Sequence, residues 1–225
     1  LVQAVERLSR KGILVVTAAG NMGINPATGK PGYGGVGVPC NAPSALCVGS
    51  LDTNHNATLA DDKVAKSSSR GPTRFDLLAK PDLVAPGVKI VSLSSPESKL
   101  FKENQHLRVF GRHQRPGAPA AYLTLSGTSM ASPMAAGAAA LVFTVNPLLS
   151  ANAAKMILQF TASDVTTADP LTQGTGALNV IGALTLAAAD AGLAATLARE
   201  LHQRRLRVYF SDDVAGVEDG GAVKN

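Results

Sequence analysis

The chain has 225 residues, 45% of them hydrophobic, with 4% aromatic residues and no Trp; this suits a tightly layered α/β protein and excludes a disordered one. Its net charge of +5 lies partly in residues 99–115 and 199–207, which carry no recognition motif and read as a solvated basic face, so no nucleic-acid partner is expected. No run of about 18 uninterrupted apolar residues occurs, so no membrane partner is expected either.

Residues 2–8 read as an amphipathic helix with Val2, Val5 and Leu8 on one face. Lys11-Gly12 ends it. The helix looks already under way, with no basic region leading into an apolar run, so the chain is expected to begin inside a domain and not with a signal peptide. Residues 13–17 (ILVVT) form the continuous apolar run of a strand buried in a parallel sheet. Ala18-Ala19-Gly20-Asn21 then falls at the strand's C-terminal end, the edge where open α/β sheets bind ligands.

Residues 23–39 are rich in Gly, Pro and Asn and read as loop. Cys40 and Cys47 flank a turn, and the pair fits either a disulfide or two buried thiols. Their spacing matches no zinc pattern. Residues 46–50 form a second strand. Residues 83–85 and 90–92 are extended pieces about Pro86-Gly87. Residues 96–119 are polar and basic, with low periodicity, and are expected as an exposed surface insertion.

Residues 129–145 make the strongest helix, with Met134, Ala138, Leu141 and Val142 at helical spacing and Asn146-Pro147 as its stop. Residues 151–160 form another, with Ser150 as the N-cap. Helical character returns over 180–207, followed by an acidic, Gly-containing tail. Alternation of strand and helix predicts a parallel α/β fold.

The string 126–133 (SGTSMASP) puts Ser129 at the first turn of a long helix. Free backbone N–H groups and a partial positive charge there favour an anion, including the oxyanion formed when a hydroxyl attacks a carbonyl. Gly127 permits close approach of a substrate, and Pro133 is expected to cost little near a helix start. On these grounds alone Ser129 is equally an N-cap. No G-x-S-x-G elbow is present, because Ala131 stands at its last glycine.

The full string, GTSMASP, resembles the nucleophile signature of the subtilases, the subtilisin-like serine proteases. AAGN (18–21) resembles the family's oxyanion segment, which would make Asn21 a side-chain donor. Residues 37–39 and 43–50 resemble the segment at the primary specificity pocket, with Gly37 as floor and Ala18, Ala19 and Gly20 as one wall. Gly127 and Thr128 would face substrate. Residues 68–73 and 80–87 match further signatures of structural role, and Gly174, Gly176 and Asn179 resemble the closing turn. Met134 departs from the family's usual His, which altered packing would absorb.

The resemblance implies a three-layer α/β fold with a mainly parallel sheet. Residues 1–190 would be the C-terminal part of a peptidase domain truncated at its N-terminal side, and 191–225 a terminal helix and flexible tail. It implies endopeptidase chemistry on polypeptide substrates through Ser129, no cofactor for catalysis, a possible structural calcium at no identified site, and secretion. The family's catalytic Asp and His strings are absent. They are expected in an upstream part of the same domain, a partner without which this chain is inactive. His55, His106, His113 and His202 lack the family context and read as surface residues. The alternative is a non-catalytic binding or structural module derived from the same fold.

Overall fold

The computed structural model describes residues 1–56, 58–110 and 122–188. Helix α1 (Val2–Arg10) ends at Lys11, whose N–H donates to the Leu8 carbonyl, while Gly12 N–H donates to that of Ser9. Gly12 follows at φ +84, a left-handed conformation that glycine adopts without strain.

Strand β1 (Val16–Ala18) begins later than residues 13–17 suggest. Its ladder partners decide this: Val16, Thr17 and Ala18 pair in parallel with Leu46, Cys47 and Val48 of β2 (Leu46–Asp52). Strand β2 is central. On its other side β4 (Leu83–Pro86) pairs in parallel from Val48↔Leu83 to Leu51↔Pro86. The short β3 (Lys63–Val64) folds back antiparallel on the end of β2.

Successive β2 side chains face opposite sides of the sheet, as pleating requires. Leu46 and Val48 join Leu83, Ala85 and Ala131, Ala135, Ala138 and Val142 of the long helix α3 (Thr128–Val145) in the main core. Cys47 faces the other way, with Ala19, Val36 and Cys40. On that side Val5 of α1 packs on Ala42 and Ala45. The result is three layers: α3 with α4 (Ala151–Phe160) and α6 (Val180–Ala187), the mainly parallel sheet, and α1 with the 36–45 segment. Ser150 caps α4, its side chain accepting from Ala153 N–H.

The polar segment expected as an insertion carries regular structure where it is described. Ser98 caps α2 (Lys99–Glu103), a 3-10 turn covers Gln105–Leu107, and β6 (Arg108–Val109) pairs with β7 (Tyr122–Leu125). With β5 (Ile90–Leu93) they form an antiparallel sheet ordered β5-β7-β6. Phe101 is buried there with Leu123, and the Arg108 guanidinium lies 4.2 Å from its ring centre. A short α5 (Pro170–Gln173) is capped by Asp169. The terminal helix and tail expected beyond 190 lie outside the described residues.

Candidate active site

The site forms where the end of β1 meets the start of α3. Gly127 is the N-cap residue at φ +144, a conformation that penalises any Cβ. A Cβ there would also stand 3.3 Å from both Nδ2 and Oδ1 of Asn21. Glycine therefore lets the Asn21 carboxamide lie against the helix start. From below, Gly127 N donates to Gly87 O at 2.7 Å.

Thr128 is fully buried and ties the two segments together. Its backbone N–H donates to Asn21 Oδ1 at 3.0 Å, and its hydroxyl donates to the same oxygen at 3.2 Å. The hydroxyl in turn accepts from Gly20 N at 3.1 Å. A backbone N–H can only donate, so the Asn21 atom facing it must be the oxygen. The two N–H bonds of Asn21 Nδ2 are left for another acceptor, and no side chain or backbone group among the described residues takes them. Asn21 is exposed, as is Ser129, the second residue of α3.

Ser69 anchors the turn a second time. Its N–H donates to Gly20 O at 2.8 Å, and its hydroxyl accepts from Met22 N at 3.0 Å. A Cβ on Gly20, at φ +104, would stand 2.9 Å from that hydroxyl. Arg70 donates to Gly23 O, and Ser68 accepts from Ser50 N. Ser69 and Arg70 thus hold the 20–23 loop in place, and Ser68 ties the same segment to β2. Their residue types did not distinguish this task from ordinary loop structure.

Pro133 sits six residues into α3, beyond the donors that lack partners at any helix start. It therefore removes the bond that the Ser129 carbonyl would have accepted, a larger effect than its nearness to the N-terminus suggested.

A cleft of about 520 Å³ opens beside Met22, bordered by Tyr33, Gly37, Val38, Phe75 and others. Gly37 is exposed, with open space where a Cβ would stand. Ala18, Ala19 and Gly20 do not border it among the described residues. Ala19 is buried with Val36 and the two cysteines, and its carbonyl accepts from Gly37 N at 3.2 Å. Arg74 and Asp76 also line the cleft, so charged side chains border it beside the aromatic Tyr33 and Phe75. Tyr33 is pinned by donating to Asp169 Oδ2 at 2.8 Å. Burial pushes the Asp169 carboxyl up, but hydrogen bonds from Tyr33, Thr172 and Leu171 outweigh it and hold the group below its usual range.

Cys40 and Cys47 form a disulfide. His55 and His106 are exposed, on the turn after β2 and on the 3-10 turn, and neither bonds to Ser129. His113 and His202 lie outside the described residues. Among the described residues no three His, Cys, Asp or Glu side chains converge as a metal site. No chemistry is routed through the calcium that the resemblance allows.

Residues 1–183 match the model of the subtilase family. The chain is 40% identical over 179 residues to the Serine protease AprX of Bacillus subtilis (strain 168), covering 80% of this chain and 37% of that protein. It is 33% identical over 180 residues to Subtilisin DY of Bacillus licheniformis, covering 80% of this chain and 50% of the relative. Among solved structures, one titled S41 Psychrophilic Protease superposes with a TM-score of 0.57 at 30% identity, covering 80% of this chain and 52% of that one. The chain thus spans half or less of the length of these curated relatives.

Proposed function

The chain belongs to the subtilase family, and from that premise we propose that it supplies the nucleophile and oxyanion site of a serine endopeptidase. Ser129 Oγ bonds to the carbonyl carbon of a peptide while its proton passes to a general base. The developing oxyanion accepts from Asn21 Nδ2 and from the Ser129 backbone N–H. The C–N bond then breaks, the base returns the proton to the leaving amine, and water hydrolyses the acyl-enzyme on Ser129. No cofactor enters these steps.

The observation that carries the reading is the Asn21 carboxamide, oriented through its oxygen by Thr128 with its donors uncommitted. Donors fixed before the reaction need no reorganisation when charge develops, which is why such sites stabilise transition states strongly. The exposed Ser129 lies at the same helix start.

The general base and its carboxylate partner belong, in this reading, to an upstream part of the same protease domain. A serine without a base is a weak nucleophile, so this chain alone is expected to be nearly inert. Two features support such a partner. Helix α3 leaves Ser129, Pro133, Met134 and Gly137 exposed along one side, and among the described residues β1 pairs along one edge only. Polypeptide substrates would place a large residue in the Gly37 cleft. The Cys40–Cys47 disulfide supports an extracellular setting.

Labelling of the natively purified protein with a fluorophosphonate, mapped by mass spectrometry, tests the reading. A label on Ser129 is expected with the upstream chain present. A folded protein with that chain bound and Ser129 unlabelled would instead make Ser129 an ordinary exposed residue in the first turn of α3, whose N-cap is Gly127.

A further inference from the structure

Helix α4 turns its long polar side chains inward and large apolar ones outward. Lys155 Nζ donates to the Pro43 and Ala45 carbonyls at 2.8 Å each. Gln159 Nε2 donates to the buried Asp82 at 3.3 Å. Ala151, Ala154 and Leu158 are buried beneath the helix. Met156 and Phe160, by contrast, are 67% and 66% exposed, with the half-buried Ala153 and Ile157 beside them. Residues 153, 156, 157 and 160 follow the i, i+3, i+4, i+7 spacing of a helix face that packs on a neighbour. Asn152 alone among the exposed residues of α4 is polar, whereas a helix side open to water is ordinarily charged or polar throughout.

The chain itself returns to this face. Asn146 Nδ2, on the connection that leads into α4, donates to Ala187 O at the end of α6 at 3.3 Å. Ala188 is extended, at φ −73 and ψ 117, and ends α6 there. Residues 189–225, outside those described, therefore set out beside the N-terminal end of α4. Leu148, just before α4, is 94% exposed. The ten residues of α4 make a rod about 15 Å long. Residues 189–192 span about 13 Å when extended, which brings Leu193 within reach of Met156. From there the sequence is amphipathic. Leu193, Leu197 and Leu201 recur every fourth residue, with Ala194 and Ala198 on the same side of a helix. Thr196, Arg199 and Gln203 fall opposite.

We infer that residues 193–203 dock as an amphipathic helix on the outer face of α4, their three leucines against Met156, Ile157 and Phe160. The chain thereby covers its own exposed apolar face, which would otherwise be open to association with another molecule. Thr196, Arg199 and Gln203 are left facing water. The inference is independent of the chemistry proposed for Ser129.

Thiol labelling reads the coverage directly. In the full protease, carrying Ser129→Ala to stop self-cleavage, Met156→Cys puts a thiol on the face. The two natural cysteines of this chain are joined as Cys40–Cys47, so a maleimide mapped by mass spectrometry reports on the new position. Each rate is taken relative to that of the unfolded protein. Labelling at Met156→Cys is expected to be at least about tenfold slower than at Leu59→Cys, because the tail must open first. Leu59 is exposed on the loop before β3. Combining Leu193→Asp, Leu197→Asp and Leu201→Asp is expected to bring the two rates within about twofold. A chain ending at Ala188 should do the same, and it serves if the aspartates disturb folding. Equal rates with the natural tail overturn the inference. Protection that survives both tail changes also overturns it. Such protection would belong to a second copy if it rose with protein concentration, and to another part of the protease if it did not.

Discussion

Thr128 holds Asn21 across 107 residues of sequence, with two hydrogen bonds of 3.0 and 3.2 Å converging on one carboxamide oxygen. The acceptor half of Asn21 is structural, and the donor half is what the proposed reaction uses. Asn21→Asp keeps the acceptor and deletes the donor. It is expected to lower kcat by about 10²–10³, a magnitude borrowed from subtilisin itself, with KM little changed. Steady-state kinetics on a peptide anilide measure this, and an unchanged kcat would contradict the role.

Thr128 is a positioning residue. Thr128→Val preserves its shape, but it removes the acceptor for Gly20 N and one of the two donors to Asn21. A drop of about tenfold in kcat is expected, with about 1–3 kcal/mol of stability lost to the unsatisfied amide. Thr128→Ser should restore both. A purely structural threonine would lower the melting temperature and leave kcat of the folded enzyme alone.

Asp82 organises a buried charge cluster away from the active site. Its carboxylate accepts from Lys80 Nζ and Cys47 N at 2.7 Å and from Gln159 Nε2 at 3.3 Å, and Lys155 Nζ lies 3.3 Å away. Burial pulls the Lys80 ammonium down to about 8, against the pull of Asp82, with Lys155 adding to the lowering. Asp82→Ala leaves the buried Lys80 ammonium and the half-buried Lys155 ammonium with carbonyl partners but no counter-charge, and is expected to cost about 3 kcal/mol in denaturant unfolding. A loss below about 1 kcal/mol would show that the cluster is solvated.

Asp62 behaves oppositely. It is 7% exposed, and burial, with Asp61 and Asp52 nearby, pushes its carboxyl from 3.8 up to about 6. The native state therefore holds the proton more tightly than the unfolded chain, and stability declines as pH rises from about 4 to about 6. Asp62→Asn should stabilise the protein at pH 7 by about 1 kcal/mol, allowing for solvent screening in this loop. It should change nothing near pH 3, where both states are protonated. Melting curves of the two proteins across this range give the answer; a gain that persists at pH 3 would exclude the titration as its cause.

Removing the Cys40–Cys47 crosslink by changing both residues to Ala is expected to cost about 2–3 kcal/mol for so short a loop. Thermal or denaturant unfolding at fixed pH would measure it.

Much of this architecture was legible in the chain itself. SGTSMASP placed Ser129 at the start of the main helix, and AAGN placed Asn21 at the end of a buried strand, because helix-start chemistry and apolar β-branched runs are local signals. Contacts between distant segments were not legible. Thr128 looked like a residue facing substrate, and only the meeting of β1 with α3 shows its hydroxyl turned inward to Gly20 and Asn21. The start of β1 moved from 13 to 16 because its pairing with β2 sets the register. Phe101, one aromatic among Lys, Glu and Gln, has no periodicity to announce its burial, so the structured part of the 96–119 segment was hidden. The pocket wall at 18–20 followed from family pattern alone, whereas the cleft is bordered by Phe75, Arg74 and Asp76, from a loop assigned no such task.

The most direct test of the central claim is intact-mass trapping of the acyl-enzyme. The full protease is mixed with a peptide ester and acid-quenched within milliseconds to seconds, then compared with its Ser129→Ala and Asn21→Asp forms. One acyl group is expected on Ser129 of the wild type, none on Ser129→Ala, and slow accumulation on Asn21→Asp. Peptide hydrolysis that survives Ser129→Ala, or an acyl group found on another residue, would contradict the claim.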